Sequence, residues 1–303
     1  MPIEFTCPSC GAQTNVADQY AGQTGPCAKC GHQITIPGTP VDPGATYVAP
    51  PRKRSSSAWI IVLVVGGSLG MLVVCGGILV ALMLPAIQAA RGAAQQVRCM
   101  NNMKQIALAL QCYNNDHGQY PPAYIADENG RPMHSWRVLI LPYLEQSHVY
   151  DQYNFDEPWD SPNNRAATSM AWGDIFQCPS NPSQDSTKTN YVMIVGPGCF
   201  SEGPKGRFAD SIKDGTSNTI MIAEIANSDI DWAEPRDLDA TTMSYVVNDP
   251  SGQPSISSNH PAKANVAMAD GSVKYLENDT DPQVVIQMTQ VNDGGPAAHE
   301  MPQ

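Results

Sequence analysis

No charged residue lies between Arg54 and Arg91. The middle of that gap, Trp59 to Leu84, is almost wholly apolar. About 20 apolar residues at 1.5 Å each cross the ~30 Å hydrocarbon core of a bilayer, so this stretch is long enough to span one. It does not read as a cleaved secretory signal. Its apolar run is too long, and a segment with its own cysteine framework precedes it. Catalytic motifs are lacking too. There is no H-E-x-x-H and no Walker loop, which removes the commonest metalloprotease and nucleotidase readings. His117, His134 and His148 show no ligand spacing and read as loop or surface histidines. The chain is therefore expected not to be an enzyme.

The charges that are present are unevenly divided. The 303 residues carry a formal charge of −12. Residues 1–90 hold four Lys/Arg and three Asp/Glu, and residues 91–303 hold 13 and 26. So acidic a C-terminal part argues against nucleic acid or anionic lipid as its partner. Arg52, Lys53 and Arg54 cluster just before the apolar run. Clustered positive charge stays cytoplasmic, which predicts a cytoplasmic N-terminus and a periplasmic or other extracytoplasmic C-terminal domain. The expected organisation is a module at 1–37, a flexible Pro/Gly/Ser-rich linker at 38–57, a transmembrane helix at 58–84 and an extracytoplasmic domain at 85–303.

Nine cysteines fall into three groups. Cys7-Pro-Ser-Cys10-Gly and Cys27-Ala-Lys-Cys30-Gly are two knuckles separated by sixteen residues. Each tight turn sets two thiolates on one side of a loop, and two knuckles close a tetrahedral four-thiolate site, which predicts structural Zn²⁺. So small a module has little core, so the metal would supply most of its folding free energy. His32 reads as a neighbour of the site, and Ile34 and Ile36 as a strand. This front resembles the small zinc-ribbon domains at the N-termini of many bacterial membrane proteins. Cys75 lies in the apolar run. Cys99, Cys112, Cys178 and Cys199 follow it, and two disulfides among them allow three connectivities.

Gly66 and Gly70 form a G-x-x-x-G pair inside the span, which permits close helix packing and hence an oligomer through the helix. Pro85 is expected to kink the helix rather than end it. Ala86 to Asn114 keeps helical periodicity, and Asn114-Asn115-Asp116-His117-Gly118 is a stop signal confirmed by Pro121-Pro122. One very long helix is predicted.

Here the residues carry a family resemblance. Ile78 to Pro122 resembles the N-terminal helix of type IV pilin-like and type II secretion pseudopilin-like proteins. More closely, it is similar to a large bacterial family of pilin-like proteins of unknown function with an H-x9-DG signature. Ser135-Trp136-Arg137-Val138-Leu139, Leu141-Pro142-Tyr143-Leu144-Glu145-Gln146, Phe176-Gln177-Cys178-Pro179-Ser180 and Asp214-Gly215-Thr216-Ser217-Asn218-Thr219 agree with it. The signature itself is His260 followed after nine residues by Asp270-Gly271. The resemblance covers about residues 70–280. It implies an α+β, pilin-like fold with the long helix packed on an antiparallel sheet. Members usually begin with a short basic leader, a prepilin-peptidase site and a glutamate near the start of the mature helix. Here a zinc ribbon and linker stand in that place, which favours a permanent anchor over a polymerising subunit.

Local signals agree with a sheet. Asn190–Val195 and Thr219–Ile225 are β-branched or apolar runs. Ala264–Met268 and Ser272–Leu276 flank Asp270-Gly271, which reads as a two-residue hairpin turn with both residues at positive φ. His260, just ahead of that strand, reads as a packing or hydrogen-bonding residue. Asp229, Asp231, Glu234, Asp237 and Asp239 form an acidic run with Ca²⁺ binding as an alternative to plain solvation, without EF-hand spacing. Trp136, Trp159, Trp172 and Trp232 read as core or loop anchors. The expected function is a structural or adaptor protein of a secretion or surface assembly. The rivals are a membrane-tethered ligand- or calcium-binding module and an enzyme using His260 with nearby carboxylates.

Overall fold

Four short strands build the N-terminal module in a computed structural model that describes residues 2–38, 57–171, 175–181 and 185–294. β1 (Ile3–Thr6) pairs antiparallel with β2 (Gln13–Val16), and β3 (Thr24–Pro26) pairs with β4 (Gln33–Thr35). Each hairpin carries one knuckle at its turn or edge, and the strand expected around Ile34 is β4. The chain divides into two compact units, Met1–Val73 and Val74–Gln303. The expected linker falls outside the described residues except at its ends, as does Trp172.

A single helix, α1, runs from Ser57 to His117 and passes through Pro85 without interruption. It is long and apolar enough to cross a membrane. The large apolar side chains described between Leu63 and Leu84 are all exposed. The C-terminal part of α1 behaves differently. Cys99, Met103, Ile106, Ala107 and Leu110 are fully buried. They recur at three- and four-residue spacing, which places them on one stripe. Burying each larger side chain contributes about 1.5–3 kcal/mol.

β5 (Tyr124–Ala126) and β6 (Pro132–Ser135) form a hairpin, followed by the short helices α2 (Trp136–Leu139), α3 (Ser147–Tyr150) and α4 (Pro162–Thr168). The remaining elements are β7 (Tyr191–Val192), β8 (Ile194–Val195), β9 (Ile220–Glu224), β10 (Leu238–Asp239), β11 (Lys263–Met268), β12 (Val273–Glu277) and α5 (Pro282–Thr289). β12-β11-β9-β7 make an antiparallel four-stranded sheet, and β10 pairs with β8 in parallel. The mixed helix-and-sheet class is as expected from the sequence. The parallel pair is an addition to it.

The sheet separates two apolar clusters. On one side Ile222 and Ala267 join the buried stripe of α1. On the other, Ala264, Val266 and Met268 of β11 pack with Val284, Val285 and Met288 of α5. Side chains alternate faces along a strand. Glu224, two residues beyond Ile222, and Asn265, two before Ala267, therefore point to the α1 side.

The Asp270-Gly271 turn differs from the two-residue form. Among the described residues here, only Gly271 has positive φ, at 83°. Gly271 N donates to Met268 O, and Met268 N donates to Ser272 O. This is a three-residue loop with glycine at its left-handed position. Asp270 holds it differently: its Oδ1 accepts from the Ser272 amide at 2.8 Å and hydroxyl at 2.6 Å.

Candidate metal centres

The two N-terminal knuckles have the same internal bonding. Gly11 N donates to Cys7 O at 2.9 Å, and Gly31 N to Cys27 O at 2.8 Å. Both glycines sit at positive φ, 69° and 72°, where a side chain would be strained. Cys7 Sγ lies 3.8 Å from Cys30 Sγ, and Cys10 Sγ lies 3.9 Å from Cys27 Sγ. A tetrahedral thiolate site with bonds of about 2.3 Å has sulfur–sulfur edges of about 3.8 Å. All four sulfurs lie within 4.8 Å of one another, so the cluster could hold a metal ion. The backbone amides of Lys29 and Cys30 pull the Cys27 thiol down to about 6, while at Cys30 the backbone bond at His32 is outweighed by crowding from Cys10, Cys27 and Cys7, which pushes that thiol up to about 12. His32 takes part through its backbone carbonyl, which accepts from Cys27 N.

A second group converges in the C-terminal unit. Cys99 of α1, Cys178, Glu224 at the end of β9 and His260 ahead of β11 are all buried, with one ligand atom of each within 4.8 Å of the others. His260 Nε2 lies 3.3 Å from Cys178 Sγ and 3.9 Å from Glu224 Oε1. Among the described residues Glu224 has no ion-pair partner besides His260.

Local bonding fixes each member. Asn102 Nδ2 of α1 donates to Gln177 O, and Gln95 Nε2 donates to Pro179 O. Cys178 N donates to Asn190 Oδ1. These ties hold the Phe176–Ser180 segment along α1. Tyr191 OH lies 3.2 Å from Cys99 Sγ. Asn265 Nδ2 lies 2.7 Å from Glu224 Oε2 and 3.4 Å from Cys99 Sγ, and Asn265 N adds a bond to Glu224 Oε2. Ser180 Oγ lies 3.4 Å from His260 Nδ1.

The electrostatics follow from crowding. The bond with Cys99, then that with His260, pulls the Cys178 thiol down to about 4. The same Cys178 contact, with burial, pushes Cys99 far above the ordinary thiol range. Burial, then Cys178, pushes Glu224 up to about 7. Burial works against a charged His260, but Cys178 and Glu224 outweigh it and raise its pKa.

Other expected site residues lie elsewhere. None of the nine cysteines is in a disulfide, and Cys199 Sγ is instead 3.6 Å from Gln290 Nε2. His134 is not a surface histidine. It is buried, with Nδ1 on Tyr153 OH and Nε2 on Phe155 O. The acidic run is divided among separate partners. Asp229 and Glu234 pair with Arg236, Asp239 caps Thr241, and Asp237 pairs with Arg137 in the interior. Among the described residues none of these carboxylates joins a converging group. Trp136 and Trp232 are core residues, as expected.

Sequence reasoning missed the buried group because its members share no local spacing. One signal was available. Glu224 ends the strand Ile-Met-Ile-Ala-Glu, whose five residues are all buried, and a buried carboxylate needs a partner.

The C-terminal unit is a mixed helix-and-sheet domain that includes the C-terminal part of α1. A family model described as a protein of unknown function (DUF1559) matches residues 88–199, and the chain is similar to that family over this span. The matched span includes Cys99 and Cys178 and stops before Glu224 and His260. No curated protein matches the chain, and no solved structure matches it.

Proposed function

We propose that this chain is a non-enzymatic, single-pass inner-membrane protein. In this reading residues 58–84 cross the bilayer, the N-terminal module is a cytoplasmic zinc ribbon and the C-terminal unit is a pilin-like extracytoplasmic domain. It serves as a structural or adaptor component of a secretion or cell-surface assembly. The ribbon meets a cytoplasmic protein partner, and the domain meets extracytoplasmic ones.

The observation that carries this reading is the change of character along α1. Its described large apolar side chains are exposed from Leu63 to Leu84, whereas Cys99, Met103, Ile106 and Leu110 form a buried stripe. Exposed Leu and Val in such density are unfavourable in water and suit lipid. The four-thiol geometry supports zinc, since four thiolates leave no open position for chemistry and fit a structural site.

The test is intact-mass analysis of the protein from inner membranes and from sheared surface material, with crosslinking in cells. Full-length protein found only in the membrane and crosslinked to assembly proteins is the expected result. A shortened chain in the sheared fraction would identify a processed filament subunit instead. An uncrosslinked membrane monomer would remove the adaptor role.

A further inference from the structure

We propose that Cys99, Cys178, Glu224 and His260 form a second metal site, a closed four-coordinate centre for a zinc-type transition-metal ion inside the C-terminal unit. The inference stands apart from the adaptor reading, since it concerns only the interior of this unit.

The first argument is distance. Tetrahedral sites with metal–sulfur bonds of about 2.3 Å and metal–nitrogen or metal–oxygen bonds of about 2.0–2.1 Å have ligand–ligand edges of about 3.3–3.8 Å. The Cys178–His260 separation is 3.3 Å, the His260–Glu224 separation is 3.9 Å, and every pair lies within 4.8 Å. The second argument is orientation. His260 presents Nε2 to Cys178 and Glu224 while Nδ1 faces Ser180 Oγ. Metal-bound histidines commonly donate the other ring N–H to such an outer partner. Asn265 aims its amide at both Cys99 and Glu224, and Tyr191 OH is within reach of Cys99. These donors favour the anionic, ligating forms of the thiol and carboxylate.

The third argument is charge. All four side chains are buried. As ligands in one dry site, two thiolates and a carboxylate repel each other; without a cation the site can hold them only by protonating some of them. A divalent ion removes that cost and uses every group. The donor set of two sulfurs, one imidazole nitrogen and one oxygen suits Zn²⁺ and its soft neighbours rather than Mg²⁺ or Ca²⁺. All four positions are taken by the protein, so the site is structural. A Cys–His catalytic pair would need solvent access that buried Cys178 and His260 lack. A Cys99–Cys178 disulfide would leave Glu224 and His260 with no shared partner.

The site gives the signature histidine a role as a ligand. It also clamps α1 to the sheet, since Cys99 lies on the helix and Glu224 on β9.

The test uses the full chain in detergent with a reductant and with Cys7, Cys10, Cys27 and Cys30 all replaced by serine. Among the described residues only the buried cluster then remains as a converging metal-ligand group. Titration with Co²⁺ alone should give about one equivalent, with tetrahedral visible bands and a thiolate charge-transfer band, all displaced by Zn²⁺. Cys178→Ser should cut the charge-transfer band by about half, leaving the Cys99 contribution, and His260→Gln should weaken Co²⁺ binding at least about tenfold. No Co²⁺ uptake, or a charge-transfer band unchanged by Cys178→Ser, would overturn the proposal. A check free of variants is sulfur counting by X-ray absorption at the zinc edge of the unmodified chain. About two zinc ions averaging about three sulfur ligands each are expected, from one four-sulfur and one two-sulfur site. Only four-sulfur zinc in the unmodified chain would sink the second site.

Discussion

The Arg137 guanidinium lies 2.6 Å from Asp237 Oδ1, with both side chains in the protein interior. The pair is fully committed. Arg137 Nε and Nη2 also donate to Tyr191 O, while Asp237 accepts from Trp136 Nε1 and Met193 N. It joins the loop after β9 to α2 and to the β7–β8 turn. Replacing Asp237 by Asn strands a buried cation, which costs about 3–5 kcal/mol. The urea midpoint of Asp237→Asn should fall accordingly. A loss below about 1 kcal/mol, the scale of an exposed pair, would show that the interior is wetter than described.

Gly271 gives a test of the hairpin. A Cβ there would meet Gln111 Nε2 at 2.8 Å, and φ is 83°. Gly271→Ala combines a close approach with backbone strain and should destabilise by about 1 kcal/mol or more. Adding Gln111→Ala relieves the contact but not the strain, so it should recover only part of the loss. Full recovery would mean that φ is unimportant; no loss at all would rule out the turn as drawn.

His134 predicts a pH dependence. Burial lowers its pKa from 6.5, against an opposing bond to Phe155 O. The unfolded chain therefore binds the proton more readily than the folded one. Stability from this group is complete above about pH 6.5 and declines as pH falls toward the lower folded value. Between pH 7 and pH 5, the unfolding midpoint of wild type should drop more than that of His134→Gln. Equal slopes would contradict the burial of this ring.

The N-terminal module offers a proteolytic readout. Lys29 lies between Cys27 and Cys30 within the second knuckle. On the zinc reading, metal-loaded protein should resist trypsin at Lys29, and Cys10→Ser should become cleavable there, because so small a module owes its fold to the metal. Equal resistance in both would mean that the hairpins stand without it.

Much of this architecture is legible in the chain itself. The two knuckles are readable because their ligands are close in sequence. The runs around Ile220–Glu224, Lys263–Met268 and Val273–Glu277 are readable because β-branched and apolar residues cluster between Gly, Asn and Asp. α1 is readable from its unbroken apolar and alanine-rich character. What escapes is every interaction between distant segments. Asp237 looks like part of a solvated acidic run until Arg137 is placed beside it. His134 looks exposed until Tyr153 and Phe155 fold over it. Glu224 looks like an exception in an apolar strand until Cys99, Cys178 and His260 surround it.

The cluster around Cys99 also sets an order of events. Cys99 and Asn265, which touch through a 3.4 Å contact, are 166 residues apart in sequence. A ribosome releases the helix long before it releases the histidine and asparagine that complete its surroundings. Contacts of such separation form late and slow the search for the native state. During synthesis the emerging chain must therefore carry the Cys99 thiol on α1 before its surroundings exist to bury it. The final quarter of the polypeptide acts as the latch that closes the domain.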